Sequence, residues 1–186
     1  EVICAFGRTG DSFASQRFDV TPDLITTAKG LTSGTVPMGA VLAKGGIYDT
    51  FMTGPDGAIE FFHGYTYSGH PLAAAAGLAA LAIYVEEGLI ERARSMEQKF
   101  EDALHSLEGE PNVIDVRNFG LIGAVELSPI EGQPTARAMQ IFRECYDNGA
   151  IIRTTGDTLA FSPPLIIEDE HLDKIVGTVR TALRAQ

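Results

Sequence analysis

Cysteine is scarce in this chain, and so is clustered positive charge. Only Cys4 and Cys145 are present, far apart and in no CxxC arrangement. That excludes a disulfide framework and a thiol redox motif, and reads as two buried free thiols in a reducing compartment. The formal net charge is −11, and no run of lysine or arginine interrupts it. A surface of that sign repels phosphate backbones, so no nucleic-acid footprint is visible. The longest apolar stretch, Leu72 to Tyr84, falls short of the ~20 residues of a membrane span. Its alanine content reads instead as a buried helix packed closely against a sheet, in a soluble, cytoplasmic protein. Internal repeats and low-complexity tracts are absent. Gly30 to Gly39 lacks the GxxxxGK[ST] order of a nucleotide P-loop.

What the chain does have is enough apolar residue, 45 %, for a packed core in 186 residues. Residues 1 to about 85 read as short strands broken by Gly/Pro loops and closed by the alanine-rich helix. Glu1–Ala5, Asp23–Lys29 and Met38–Ala43 are the expected strands. Pro71 in Ser68-Gly69-His70-Pro71 marks the first turn of the helix, where its missing N–H costs nothing. The second half alternates differently. An amphipathic helix over Gly88–Ser106 precedes a hairpin of Val113–Arg117 and Leu121–Leu127. Then come a helix over Ala136–Asn148 stopped by Gly149, short strands Ile151–Arg153 and Thr158–Phe161 around Gly156-Asp157, and a closing helix over Glu168–Arg184. The boundary falls at Glu86–Gly88, giving regions 1–86 and 87–186.

The apolar run Leu24-Ile25-Thr26-Thr27-Ala28 ends in Lys29, followed by Gly30-Leu31-Thr32-Ser33-Gly34. A lysine at a strand tip places its amine in the crevice beyond the sheet edge, where ligands of open α/β sheets bind. A stem held by apolar packing can lower the amine's pKa and make it a Schiff-base former. The plainer alternative is a lysine that snorkels into water. Thr66 offers a hydroxyl in a glycine-containing loop ahead of a helix N-terminus, a setting that suits phosphate, or else it is a turn threonine. Arg153 offers a planar fork for a carboxylate, or a surface-paired charge. Arg8 reads as a structural loop arginine; Glu126, Asp157 and Asp173 as solvated or capping charges; Glu86-Glu87 as an exposed helix end. His63 and His70 do not have metal-ligand spacing, and no metal is expected.

Several segments together carry a family resemblance: Phe6-Gly7-Arg8-Thr9-Gly10, the Lys29 segment, Val36-Pro37-Met38-Gly39-Ala40 and His63-Gly64-Tyr65-Thr66-Tyr67-Ser68-Gly69-His70-Pro71. In this order and spacing the chain resembles the class III (ω-amino acid) aminotransferases over essentially its whole length. Asn118-Phe119-Gly120-Leu121 and Gly156-Asp157-Thr158-Leu159 resemble the β-alanine–pyruvate (ω-amino acid–pyruvate) branch in particular. The resemblance implies an α/β fold of the fold-type I class. Residues 1–86 would be the C-terminal part of a large domain binding pyridoxal 5′-phosphate (PLP), and 87–186 a small α+β domain. It implies Lys29 as the cofactor lysine and proton carrier, Thr66 on the cofactor phosphate of the neighbouring subunit, and Gly64 and Tyr65 as shapers of that loop. It implies Arg153 on the acceptor carboxylate.

Family members acting on ornithine or acetylornithine have an arginine directly before Phe-x-Pro-Pro. Here that slot is Ala160, before Phe161-Ser162-Pro163-Pro164, which favours the pyruvate branch. In the family an aspartate that pairs with the pyridinium nitrogen directly precedes the Glu-Val pair matched by Glu1-Val2. The resemblance therefore implies a C-terminal fragment. The expected reaction passes an amino group from an ω-amino acid or amine to pyruvate, in a homodimer or homotetramer with shared active sites. An aminomutase, a decarboxylase or a non-catalytic chain keeping only the dimer surface would carry the same motifs.

Overall fold

A computed structural model describes residues 1–58 and 61–186. The chain divides into two compact units. The first comprises Glu1–Phe6 and Asp11–Leu89, the second Gly7–Gly10 and Ile90–Gln186.

The first unit is sparse in regular structure. It contains the short helix α1 (Ala14–Arg17), strand β1 (Leu24–Thr27), a 3₁₀ turn (Lys29–Thr32), strand β2 (Ala40–Ala43), helix α2 (Gly45–Phe51) and helix α3 (Pro71–Glu86). β1 and β2 form an antiparallel pair running from Leu24↔Ala43 to Thr27↔Ala40. The strand expected over Glu1–Ala5 is instead a series of turns. Phe6 and Gly7 both have positive φ, at 59° and 89°, and the Phe6 N–H donates to Ser12 O, so the chain turns back on itself rather than running along a ladder. The Glu1 carboxylate accepts the N–H groups of Ala14 and Ser15 at the start of α1.

α3 begins at Pro71 as its sequence predicts. The expectation of a wholly buried helix fails. Ala73, Gly77 and Ala80 form the covered stripe, whereas Leu72, Leu78 and Val85 are 69 %, 70 % and 80 % exposed. A helix apolar on every side has no polar face to offer water, yet the elements of this unit cover only its small-residue face. There Met38 Sδ and Leu31 O lie 3.5 and 3.6 Å from where a Gly77 Cβ would sit. At 16 residues α3 is about 24 Å long, and no single helix among the described residues is long and apolar enough to cross a membrane.

The second unit follows its sequence closely. Helix α4 (Leu89–His105) leads to strands β3 (Val113–Phe119) and β4 (Ile122–Leu127). Helix α5 (Ala136–Asp147), β5 (Arg153–Thr155), β6 (Thr158–Phe161) and helix α6 (Asp169–Arg184) complete it. The antiparallel sheet has the order β3-β4-β6-β5. Its hairpin is tighter than expected, with strand pairing running on to Phe119↔Ile122. β5 starts at Arg153 instead of Ile151.

Strand alternation sends Gly123, Val125, Leu127, Leu159 and Phe161 into the core. They meet Phe100 and Leu104 of α4, Ile141 and Cys145 of α5, and Val176, Val179 and Leu183 of α6. Cys145 is a buried free thiol, pushed up to about 11 by that burial, whereas Cys4 is only half-buried. The Asp157 carboxylate accepts the N–H of Thr135, the residue before α5, at 3.0 and 3.1 Å. The Glu110 carboxylate holds Arg180 (3.0 Å) and Arg184 (2.7 Å) near the end of α6. Glu126 is paired with Arg117 at 2.8 Å.

Candidate functional site

Lys29 does not sit on the strand tip. β1 ends at Thr27, Ala28 is extended, and Lys29 opens the 3₁₀ turn at φ 49°. A non-glycine residue in the left-handed region costs free energy and persists only where its surroundings impose it. Here they do. The Lys29 carbonyl accepts the N–H of Gly34 and that of Gly30 accepts the N–H of Ser33, both at 3.1 Å. Thr32, buried, donates its hydroxyl to Val36 O at 2.7 Å.

Behind the turn the Phe6 ring lies so close to Gly30 that a Cβ there would be 2.8 Å from Phe6 Cδ2. Phe6 stacks on Tyr84 of α3, with ring centroids 5.8 Å apart, and the Tyr84 hydroxyl donates to Gly30 O at 2.8 Å. The stem of Lys29 is not held by apolar packing as expected. The side chain is exposed, and among the described residues its amine has no hydrogen-bond partner. The local fold fixes the backbone and leaves the amine free.

Thr66 lies in a turn four residues before His70, the residue that precedes α3, and is exposed. His70 makes no side-chain cap to the helix. A cleft of about 590 Å³ is lined by Val36, Gly39, Tyr65, Tyr67, Ser68 and His70, among others. Thr66 and Lys29 are not among its lining residues. Gly64 instead lines a shallow hollow with Phe61, Phe62 and His63. His63 stands edge-on to Tyr65, with ring centroids 4.9 Å apart.

Arg153 is exposed on the edge strand β5, and among the described residues it has no ion-pair partner. Its register partner on β6 is Ala160. The same row continues through Ala124 to Arg117 on the far edge strand. Arg117 is committed to Asp115 and Glu126, which leaves Arg153 as the open cation of the row. Arg153 and Ala160 line a cavity of about 260 Å³ whose other walls include Phe100, Leu104, Ser162, Pro163 and Val176. Arg8 lies in a loop, as expected, and donates to the carbonyls of Leu121 (3.2 Å) and Pro163. Those partners lie 113 and 155 residues away, and no local signal in the sequence could reveal them. Glu168, Glu170 and His171 cluster, exposed, at the start of α6, where His171 Nδ1 accepts the N–H of Glu168 at 3.2 Å; this is a helix cap.

The donor set fits PLP in its chemistry. An uncommitted primary amine suits an aldehyde, and the exposed hydroxyl of Thr66, ahead of a helix start that no side chain caps, suits a phosphate.

Comparison with known proteins agrees with that chemistry. Residues 1–183 match the family described as aminotransferase class-III. The chain is 57 % identical over 183 residues to an omega-aminotransferase of Caulobacter vibrioides, and 48 % identical over 185 residues to a beta-alanine–pyruvate aminotransferase of Pseudomonas aeruginosa. In each case 98 % of this chain is covered, but only 42 % and 41 % of the relative. The chain thus spans about two-fifths of the length of these relatives. Among solved structures, the whole chain superposes on 44 % of a Bacillus anthracis aminotransferase (TM-score 0.90, 36 % identity). It likewise covers 42 % of a PMP-bound aminotransferase from Vibrio fluvialis (TM-score 0.88, 32 % identity). The fold is the fold-type I arrangement of the PLP-dependent transaminases.

Proposed function

This chain belongs to the class-III aminotransferases, and we propose that it is the lysine-bearing part of an ω-amino acid–pyruvate aminotransferase. The observation that carries the proposal is Lys29, held at positive φ by a close-packed turn with its amine left exposed. In this reading residues 1–86 belong to the large PLP-binding domain and 87–186 form the small domain. The assembled enzyme is a cytoplasmic homodimer or homotetramer with shared active sites, and its partners are an amino donor such as β-alanine and the acceptor pyruvate.

The cofactor, when bound, supplies an aldehyde that takes up amines and a ring that takes up electrons. The chain's own residues do the rest. Lys29 Nζ would hold the cofactor covalently at rest and, once displaced, carry the proton to and from the amine-bearing carbon of the substrate. Thr66 would donate its hydroxyl to the phosphate in the partner subunit's site, with Gly64 and Tyr65 setting the loop. Arg153 would grip the acceptor carboxylate with two parallel N–H donors. Support for the branch comes from the two named relatives and from alanine at position 160.

Borohydride reduction of the intact enzyme followed by peptide mapping tests the reading. The pyridoxyl mass is expected on Lys29. Its appearance on Lys44, Lys99 or Lys174 would overturn the assignment.

A further inference from the structure

The connection from β6 to α6 contains Pro163 and Pro164 in succession, and these contribute no backbone N–H. Such a loop is poorly able to hold its own carbonyls, and they are met largely from outside. Arg8 donates to Pro163 O. Pro164 O accepts the N–H of Ile167 at 3.0 Å. Arg92 of α4 donates to the carbonyls of Leu165 (3.2 Å), Ile166 (3.2 Å) and Ile167 (2.7 Å). Five consecutive carbonyls are thereby held, four of them by two guanidinium groups.

The two arginines act at different ends of the loop. Pro163 lines the cavity that Arg153 and Ala160 also line, whereas Ile166 and Ile167, at the Arg92 end, do not. Arg8 itself comes from far away in sequence, on the four-residue segment Gly7–Gly10 that the second unit incorporates. That segment is locked to the β3–β4 turn. The Leu121 N–H donates to Arg8 O at 2.9 Å, and the Arg8 guanidinium returns a bond to Leu121 O. Gly120, at φ 55°, has no room for a side chain, since a Cβ there would be 2.6 Å from Thr9 Cα. One half-buried guanidinium thus ties the hairpin turn to the cavity end of the Pro-Pro loop, just beyond the Gly123↔Phe161 end of the β4–β6 ladder.

We propose that Arg8 is a positioning residue for acceptor recognition, setting the wall against which Arg153 meets the substrate carboxylate. The inference rests on the reading of Arg153 given above. Both carbonyls are met by Nη1 of Arg8; a lysine keeps the charge but lacks the planar guanidinium that fixes the direction of those N–H groups.

The test uses the intact enzyme with Arg8→Lys, Arg8→Gln, Arg92→Lys, Arg153→Ala and the double variant Arg8→Lys/Arg153→Ala. The two half-reactions are measured separately, alongside thermal melting. Arg8→Lys is expected to raise KM for pyruvate about tenfold, with the half-reaction of an uncharged amine donor unchanged. Arg92→Lys should lower the melting temperature without that split. In the Arg153→Ala background, Arg8→Lys should add nothing to the loss of acceptor use, because it acts through the residue already removed. Additive losses, an equal fall in both half-reactions, an unchanged pyruvate KM, or failure of both Arg8 variants to fold would each overturn the proposal and leave Arg8 a purely structural residue. If Arg153→Ala itself spares pyruvate use, it is the Arg153 reading that fails, and the single-variant result for Arg8 still stands apart from it.

Discussion

Arg153 on β5 and Ala160 on β6 are register partners on one face of an antiparallel ladder. Seven residues apart in sequence, they are neighbours in space, with Cβ atoms about 5 Å apart as for any directly opposed pair. In the proposed reading, the two slots that the resemblance offers for a carboxylate-binding arginine, 153 and 160, are therefore two ways of presenting a guanidinium over the same patch.

Removing Arg153 should cost ~2–4 kcal/mol of transition-state stabilisation for a carboxylate-bearing acceptor. That is roughly 30- to 1,000-fold in kcat/KM for pyruvate, at ~1.4 kcal/mol per factor of ten. The half-reaction with 1-phenylethylamine, which has no carboxylate, should be nearly unaffected by Arg153→Ala. The swap Arg153→Ala/Ala160→Arg should recover part of the loss. Separate stopped-flow traces for the two half-reactions decide the matter; equal losses in both would make Arg153 structural.

Thr66 is exposed in its turn, so replacing it should leave the fold intact and affect the cofactor alone. Thr66→Ala is expected to weaken PLP retention several-fold during dialysis, while the rate of the saturated enzyme is largely kept. A large fall in rate with retention unchanged would remove Thr66 from the phosphate site.

Gly30→Ala should be disproportionately harmful for so small a change. The added Cβ would meet Phe6 Cδ2 at 2.8 Å and Phe6 Cβ at 3.0 Å, and Phe6 is backed by Tyr84. Overpacking of this kind costs about 1–3 kcal/mol. Urea unfolding should show the loss, and trimming the ring with Phe6→Leu should return part of it. An unchanged midpoint would mean that the turn yields easily and does not impose the backbone of Lys29.

His105 gives a pH dependence with a definite sign. Its ring is bonded to Glu108 (2.6 Å) and Asn118 (2.9 Å), and Asn118 in turn faces Glu101. The hydrogen bond to Glu108 first, then that to Asn118, raises its pKa above the ordinary value. A raised folded-state pKa stabilises fully below the unfolded value of about 6.5 and ceases to do so as pH rises through the folded value. Wild-type stability relative to His105→Gln should therefore shrink between pH 5.5 and pH 8.5. Denaturant midpoints at the two pH values check it, and a gap that widens with pH would refute it.

In the second unit the helices and strands β4 and β6 were legible because their burial is one-sided, whereas β5, mostly exposed, was expected two residues too early. Periods of 3.6 and 2 survive wherever one face meets the core and the other meets water, as in α4, α6 and β4. Gly149 after α5 and the Gly156-Asp157 turn marked their own positions through local backbone preference. The motif segments pointed to the family and to Lys29 because those residues are contiguous.

What the sequence could not contain is everything settled by partners distant along the chain. Glu1–Ala5 has strand-like composition but forms turns, because a strand exists only where a ladder receives it. The apolar α3 carried no periodicity from which its single covered stripe could be read. Arg8 looked like any loop arginine until the fold brought Leu121 and Pro163 to it, and Arg153 and Ala160 read as alternatives until strand register made them neighbours. Local propensity and periodicity are properties of adjacent residues, and the sequence by itself determined those. Register, close approach and the carbonyls a guanidinium can reach depend on residues up to 155 positions apart, and only the tertiary structure decided them.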